Sequence, residues 1–211
     1  MAVHPLALDL ALTIRHDGQG GVADDLERPD GLGRWVRELA DALAAVPVAV
    51  PVAGAGTFSF DFAADSVPGH DTLAAVRDLR AAVRALFARA VRGDPSPADA
   101  RHLLPVDTAL RRLNEAAAAA PAVPHPTWTD EAGPVAVRRP VRPVSARDAL
   151  GAALAHDAIA FLAGPDRTRL RACHAPRCVR YFLKEHPRQE WCKPSCGNRA
   201  RVARHHDRHR A

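Results

Sequence analysis

Four cysteines are the residues of this chain whose type and spacing could do chemistry, and all lie within 24 residues: Cys173, Cys178, Cys192 and Cys196. They form two pairs, CHAPRC and CKPSC, with thirteen residues between the pairs. Two thiol pairs, each closed by a tight turn, are typical of a tetrahedral zinc ion held about 2.3 Å from each sulfur. The spacing therefore predicts that these four residues, here called the cysteine cluster, bind a structural Zn²⁺. An iron–sulfur cluster and a redox dithiol are weaker alternatives.

Catalysis is not expected from this site. Four thiolates leave no open coordination position at which zinc could activate water. His174 and His186 lie near the cluster and could replace a ligand, but four thiolates already complete it. The chain contains no glycine-rich phosphate loop, nucleophile elbow or His-Glu-x-x-His motif. The protein is therefore predicted not to be an enzyme.

Charge divides the chain into two unequal parts. Residues 167–211 contain thirteen basic and three acidic side chains, a net charge of +10. Residues 1–166 contain 16 basic and 21 acidic side chains, a net charge of −5. Such asymmetry indicates a polyanionic partner for the basic segment.

A helix is expected to begin at the second cysteine pair, with Pro194 in its first turn, because no helix breaker lies between Gly197 and His209. Helical spacing would place four side chains on one face, along about 10 Å of helix: Arg201, Arg204, His205 and Arg208. This spacing suits a nucleic-acid backbone, and arginine can also read guanine. The predicted nucleic-acid contacts are Arg199, Arg201, Arg204 and Arg208.

The neighbouring residues are assigned other roles. Val202 and Ala203 are expected to pack against the hairpin predicted between the cysteine pairs, and Gly197 to allow close approach of the backbone to a metal-bound sulfur. The three histidines of the tail are expected to face solvent or phosphate, not a metal: His205, His206 and His209.

DNA is favoured over RNA as the partner, but two other functions stay open. In an RNA-binding module, Tyr181 or Phe182 could stack on bases. In a protein-interaction adaptor, zinc would only stabilise the fold, and an arginine-rich tail would only offset the acidic charge elsewhere.

The rest of the chain is predicted to be mostly α with minor β. Helices are expected over about 30–43, 71–92, 106–120 and 145–164, with Asp30, Asp71 and Ser145 at their amino ends. Ser96 is expected to cap a further helix that starts at Pro97. The buried stripe of the 71–92 helix is predicted to be Leu73, Val76, Leu79, Val83, Leu86, Phe87 and Val91. Its arginines are expected mostly on the other faces: Arg77, Arg80, Arg84 and Arg92.

Short β segments are predicted elsewhere. Residues 47–62 indicate short strands or a loop, and residues 127–141 a hairpin. The spacer between the cysteine pairs, residues 179–191, is also predicted to form a hairpin. A hairpin followed by a helix that carries the last ligands indicates a treble-clef-like zinc finger.

These motifs resemble a known family. The paired cysteines, the aromatic pair at 181–182, the Trp-Cys at 191–192 and CGNRAR at 196–201 resemble the CGNR zinc finger of bacterial proteins. In that family the finger follows a helical ABATE domain, which LALDLALT, LGRWV and ALRRLNEA resemble in order. Leu12 departs from the pattern, since an Asn is expected before Thr13. The family is described as stress-induced transcriptional regulators.

The resemblance implies two parts, an ABATE-like domain at 1–166 and a basic zinc finger at 167–211. It also implies a regulator whose amino-terminal domain senses a small molecule or forms a homodimer. No run of 18 apolar residues and no secretory signal are found, so no membrane contact is expected and a cytoplasmic location is predicted. A composition rich in arginine and alanine indicates a bacterial genome.

Overall fold

A computed structural model describes residues 5–17, 21–44, 68–129 and 133–210. Its helices are α1 (Leu6–Leu12), α2 (Pro29–Glu38), α3 (Ala40–Ala44), α4 (His70–Ala90), α5 (Pro97–Ala100), α6 (Val106–Ala118), α7 (Ala146–Ala163) and α8 (Pro194–Arg210). Its strands are β1 (Ile14–His16), β2 (Val22–Asp24), β3 (Ala122–Thr129), β4 (Gly133–Pro140), β5 (Leu170–Ala172) and β6 (Tyr181–Leu183). The predicted class, mostly α with minor β, is confirmed.

Helix α4 forms the centre of the fold, and α1, α6 and α7 all pack against it. Its apolar residues recur at helical spacing, and the seven that were predicted to be buried are all buried. Alanines line the inner face of α7, which lets neighbouring helices approach closely. Phe87 of α4 meets Phe161 of α7, with the ring centroids 5.3 Å apart.

Two predicted helix starts differ from the structure. Helix α2 begins at Pro29, so Asp30 lies in its first turn and pairs with Arg28 at 3.1 Å instead of capping the helix. Helix α4 begins at His70, and Gly69 occupies the cap position that was predicted for Asp71. The Ser145 cap of α7 is confirmed, because its side chain accepts a hydrogen bond from the Asp148 amide at 3.1 Å.

The hairpin predicted near residues 127–141 is confirmed and is longer than expected. Strands β3 and β4 pair antiparallel over their full length, from Thr129 opposite Gly133 to Ala122 opposite Pro140. The strands or loop predicted at 47–62 lie outside the described residues. Within the described ranges, no helix has both the length and the apolar character needed to cross a membrane.

The finger shares a hydrophobic core with the helical part of the chain. Strands β5 and β6 pair antiparallel, and Leu170 and Tyr181 are buried in the same cluster as α1, α4 and α7. The Tyr181 ring meets Phe87 edge-on, at 5.7 Å between centroids. The hairpin predicted inside the 179–191 spacer is therefore wrong: its strand pairs with residues that precede the first cysteine. The turn predicted around His186 does form, through a bond from the Gln189 amide to the His186 carbonyl.

Candidate metal centre and nucleic-acid interface

The first cysteine pair lies at the turn between β5 and β6. The Cys173 amide donates to the Arg180 carbonyl at 2.9 Å, and the Cys178 amide donates to the Ala175 carbonyl at 2.9 Å. Between them Arg177 has a φ of 62°, a left-handed conformation that is uncommon for a residue with a side chain. This tight turn points both sulfurs of the pair to the same side.

The second pair is positioned by the start of α8. Cys192 precedes the helix and Cys196 lies in its first turn, where the Cys196 amide donates to the Lys193 carbonyl at 3.0 Å. Pro194 opens the helix as predicted, because a first-turn proline needs no amide hydrogen. The second cysteine pair therefore lies at the amino end of α8.

The spacing of the four sulfurs fits a tetrahedral metal ion. All four ligand atoms lie within 4.8 Å of one another. The sulfur–sulfur distances are 3.4 Å from Cys192 to Cys196, 3.8 Å from Cys196 to Cys178 and 3.9 Å from Cys178 to Cys192. Four sulfurs at about 2.3 Å from one ion in a tetrahedron are about 3.8 Å apart. Cys173, Cys178 and Cys196 are buried, and Cys192 is half-buried.

The thiols of the cluster influence one another's ionisation. Hydrogen bonds from the Cys178 and Cys192 thiols lower the pKa of Cys173. Sharing a proton with Cys173 raises the pKa of Cys178, and contacts with Cys173 and Cys178 raise the pKa of Cys192. A second thiolate is unfavourable beside the first, so a cation is needed to hold the whole cluster ionised.

Arg199 lies against the cluster. Its guanidinium donates to the Cys196 sulfur at 3.2 Å, and its Nε is buried with no partner among the described residues. A donor at this position stabilises a thiolate and orients it. Among the arginines predicted to contact nucleic acid, Arg199 is thus half-buried and is placed differently from the other three. A role in nucleic-acid binding stays a prediction for Arg199.

Gly197 has a different neighbour from the one predicted. A side-chain carbon at this position would lie 3.0 Å from Cδ1 of Trp191. The close approach is therefore to the indole ring, not to a sulfur, and the ring covers the first turn of α8.

Three residues of the helical part of the chain hold the first cysteine pair and the strand after it in place. Sequence reasoning did not assign them this role. Ser96 donates its hydroxyl to the Cys178 carbonyl, and Arg84 donates to the Val179 carbonyl at 2.7 Å. The Tyr181 hydroxyl donates to Asp99 at 2.6 Å. Ser96 occupies the cap position of α5, but its side chain makes no cap bond, so the predicted capping role is wrong.

Two arginines of α4 also correct the sequence-based prediction. Arg80 and Arg84 are buried, not on an outer face. Arg80 forms a two-pronged ion pair with Asp24 at 2.5 and 2.7 Å, and Arg84 pairs with Asp99 at 2.6 Å. The sequence does contain a signal for this burial, because both arginines fall at the helical spacing of the buried apolar residues of α4. Arg77 and Arg92 are exposed, as predicted.

The outer face of α8 is basic. Three of the predicted contacts, Arg201, Arg204 and Arg208, are exposed on it. Arg201 donates to the Asn198 side chain, whereas Arg204 and Arg208 donate to helix carbonyls one turn back, at 3.3 Å. Cys196 and Ala200, nearer the amino end of the helix, are buried. Val202 is 57% exposed, so its predicted packing against a hairpin between the cysteine pairs is wrong.

Two protein-family models match consecutive parts of the chain. The ABATE family model, described as "Putative stress-induced transcription regulator", matches residues 4–165. The CGNR zinc-finger model matches residues 169–209. No curated protein sequence matches the chain. Neither of the matched families is a family of enzymes. These matches confirm the resemblance seen in the cysteine pairs and the CGNR motif: the chain belongs to the ABATE family and carries a CGNR zinc finger after the ABATE domain.

Proposed function

We propose that this protein is a transcription regulator that binds Zn²⁺ in the cysteine cluster and contacts DNA phosphates through α8. The observation that carries the proposal is the exposed face formed by Arg201, Arg204 and Arg208 on a helix whose first turn contains a metal ligand.

Zinc is the metal that suits the four sulfurs. Thiolates favour zinc among the divalent ions of the cell, and a tetrahedral four-sulfur site is typical of structural zinc. The ion would neutralise part of the thiolate charge. It would also link the turn between β5 and β6, which carries the first cysteine pair, to the start of α8. The small core around the cluster, with Phe182 and Trp191, has little apolar area of its own. Metal binding is therefore expected to supply much of the folding free energy of the finger.

The arginine face has the geometry for phosphate contact. Arg201, Arg204 and Arg208 span about 10 Å along the helix axis. Their guanidiniums are exposed, and none forms an ion pair with a carboxylate among the described residues. They are therefore available to bind phosphate oxygens, and such contacts release counterions from DNA.

Two features bear on the alternative functions. Tyr181 and Phe182 are both buried, so the base stacking considered for an RNA-binding module has no exposed ring at these positions. Trp128 is 76% exposed near the tip of the β3–β4 hairpin, and an exposed indole there would suit a protein-interaction adaptor. DNA is favoured because the basic face lies on the helix that also carries Cys196 of the zinc finger.

We further propose that a small-molecule effector binds where the ABATE domain meets the finger. A cavity of about 450 Å³ lies there, within the usual size range of ligand sites. Its wall includes Ile14, Leu103 and Val179, together with Arg77 and the Arg84–Asp99 pair. Chemical-shift changes confined to this wall in a fragment titration would support the site, and changes only elsewhere would argue against it. Homodimer formation stays a prediction.

The DNA contact is tested by fluorescence anisotropy with labelled duplex and zinc-loaded protein, from low to physiological salt. The logarithm of affinity is expected to fall linearly with the logarithm of salt concentration. The triple variant Arg201→Ala/Arg204→Ala/Arg208→Ala should bind more weakly, with a salt slope shallower by about three.

A charge-matched control is available in the ABATE domain. Arg34, Arg89 and Arg92 are exposed and lie outside the finger, so replacing all three with alanine removes the same net charge. This variant is expected to keep the wild-type salt slope. Equal losses in both triple variants would mean that only net charge matters, and no binding at low salt would favour a protein-interaction adaptor.

A further inference from the structure

Two histidines on the exposed side of α8 direct their ring nitrogens toward each other. His205 and His209 are four residues apart, and their Nε2 atoms are 3.1 Å apart. The ring centroids are 4.3 Å apart, and both residues are exposed. His206, between them in the chain, lies on a different face, with its ring 6.2 Å from that of His205.

We propose that His205 and His209 form a second metal site, which binds one divalent transition-metal ion of the class that prefers imidazole: Zn²⁺, Ni²⁺ or Cu²⁺. It is separate from the cysteine cluster and differs in chemistry, with two nitrogens in place of four sulfurs. Sequence reasoning assigned these histidines to solvent or phosphate because spacing alone does not show where the rings turn.

The nitrogen–nitrogen distance supports the assignment. Two imidazole nitrogens bound to one ion at about 2.05 Å lie about 2.9 Å apart in octahedral geometry and about 3.3 Å apart in tetrahedral geometry. The observed 3.1 Å falls between these values. A pair of histidines at positions i and i+4 of a helix is also the spacing with which helices present two ligands to zinc. The ion can therefore bind without rearrangement of the backbone.

Without metal, the pair can share one N–H as a hydrogen bond between two neutral rings. On metal binding, the ring that donated this N–H takes the tautomer with its proton on Nδ1, so both rings coordinate through Nε2 as neutral ligands and the site gains the full charge of the ion. Arg204 and Arg208, each adjacent in sequence to one of the two histidines, are cationic and oppose this charge. We therefore expect a weak site whose ion exchanges with ions in solution. Water molecules would supply the remaining ligands.

The site has one consequence that rests on the proposed DNA contact. A bound cation adds charge to α8 within one turn of Arg204 and Arg208. It also offers open coordination positions to a phosphate oxygen. If α8 contacts DNA, occupancy of the histidine pair strengthens that contact. The metal site itself does not depend on this consequence.

The experiment uses the full chain with its zinc-loaded finger, titrated with Ni²⁺ and followed by calorimetry. Release of zinc is monitored in parallel with a chromophoric chelator. His205→Ala and His209→Ala are each expected to weaken Ni²⁺ binding at least tenfold. His206→Ala is the matched control, since it removes an exposed histidine from the same helix turn, and it should change Ni²⁺ affinity less than twofold.

A second readout follows from the geometry. An ion that joins positions i and i+4 stabilises the end of the helix, so Ni²⁺ should increase the helical circular dichroism signal of the wild type but not of His205→Ala. Loss of affinity in His206→Ala equal to that in His205→Ala would overturn the proposal, because it would indicate non-specific binding to a histidine-rich tail. Ni²⁺ affinity weaker than millimolar in the wild type would also overturn it. No DNA is present, so these outcomes are independent of the proposed function.

Discussion

The Tyr181 hydroxyl donates a hydrogen bond to the Asp99 carboxylate at 2.6 Å, and both side chains are buried. Tyr181 belongs to β6, directly after the first cysteine pair, and Asp99 belongs to α5 of the ABATE domain. The bond joins the segment that follows the first cysteine pair to the helical core of the ABATE domain. Burial, together with the nearby negative charge of Asp99, raises the pKa of Tyr181, so the hydroxyl keeps its proton and remains a donor.

Removal of this hydroxyl should destabilise the whole protein, not only the finger. Tyr181→Phe is expected to lower the free energy of unfolding by about 1 to 3 kcal/mol, because Asp99 loses a buried donor. Urea unfolding of Tyr181→Phe, Asp99→Asn and the double variant gives the coupling between the two residues. A coupling energy near zero would show that the contact contributes no stability.

Arg84 should be among the most sensitive arginines of the chain. It is buried and bonds to Asp99, to the Ala11 carbonyl at 2.6 Å and to the Val179 carbonyl. Arg84→Leu leaves Asp99 without its ion-pair partner, and a loss of about 3 to 5 kcal/mol in unfolding free energy is expected. Arg89→Leu changes an exposed arginine of the same helix and should alter stability by no more than about 0.5 kcal/mol. Similar losses in the two variants would contradict the structure.

Ser96 should affect metal retention, because its hydroxyl bonds to the carbonyl of the ligand Cys178. Ser96→Ala is expected to transfer zinc to a chromophoric chelator about tenfold faster, as is typical when a group supporting a metal ligand is lost. The comparison is Ser145→Ala, which removes the cap of α7 and costs about 1 kcal/mol but touches no ligand. If Ser145→Ala releases zinc as fast, general destabilisation and not the Cys178 contact explains the effect.

Asp24 should contribute to the acid sensitivity of the fold. Burial by itself raises the pKa of Asp24, but the hydrogen bonds and charge of Arg80 outweigh burial, and the net shift is downward. A carboxyl with a lowered folded pKa stabilises the protein above its unfolded pKa, about 4, and loses this contribution as pH falls through the folded value. The stability difference between wild type and Asp24→Asn, measured in urea, should therefore be larger at pH 7 than at pH 3.5. A difference independent of pH would mean that the negative charge of Asp24 does not contribute to the free energy of unfolding.

Much of this protein follows from local sequence. The cysteine pairs, the proline that opens α8 and the arginine spacing on that helix depend on short-range geometry, and the structure brings the four sulfurs within 4.8 Å as the pairing predicted. The buried stripe of α4 is also visible in the sequence, because helical periodicity records which face meets the core. The cap of α7 follows from the same kind of local signal.

Tertiary structure alone decided how the two parts meet. Arg80 and Arg84 are charged, so their side chains indicate solvent, yet both are buried because carboxylates and carbonyls distant in sequence complete their hydrogen bonds. Ser96 has the sequence pattern of a helix cap, but a carbonyl 82 positions later takes its hydroxyl. The pairing of β6 with β5 also depends on how distant segments pack. The approach of His205 to His209 depends on the side-chain conformations of the two rings. Local chemistry thus predicted which cysteines come together, and long-range packing determined what holds them in place.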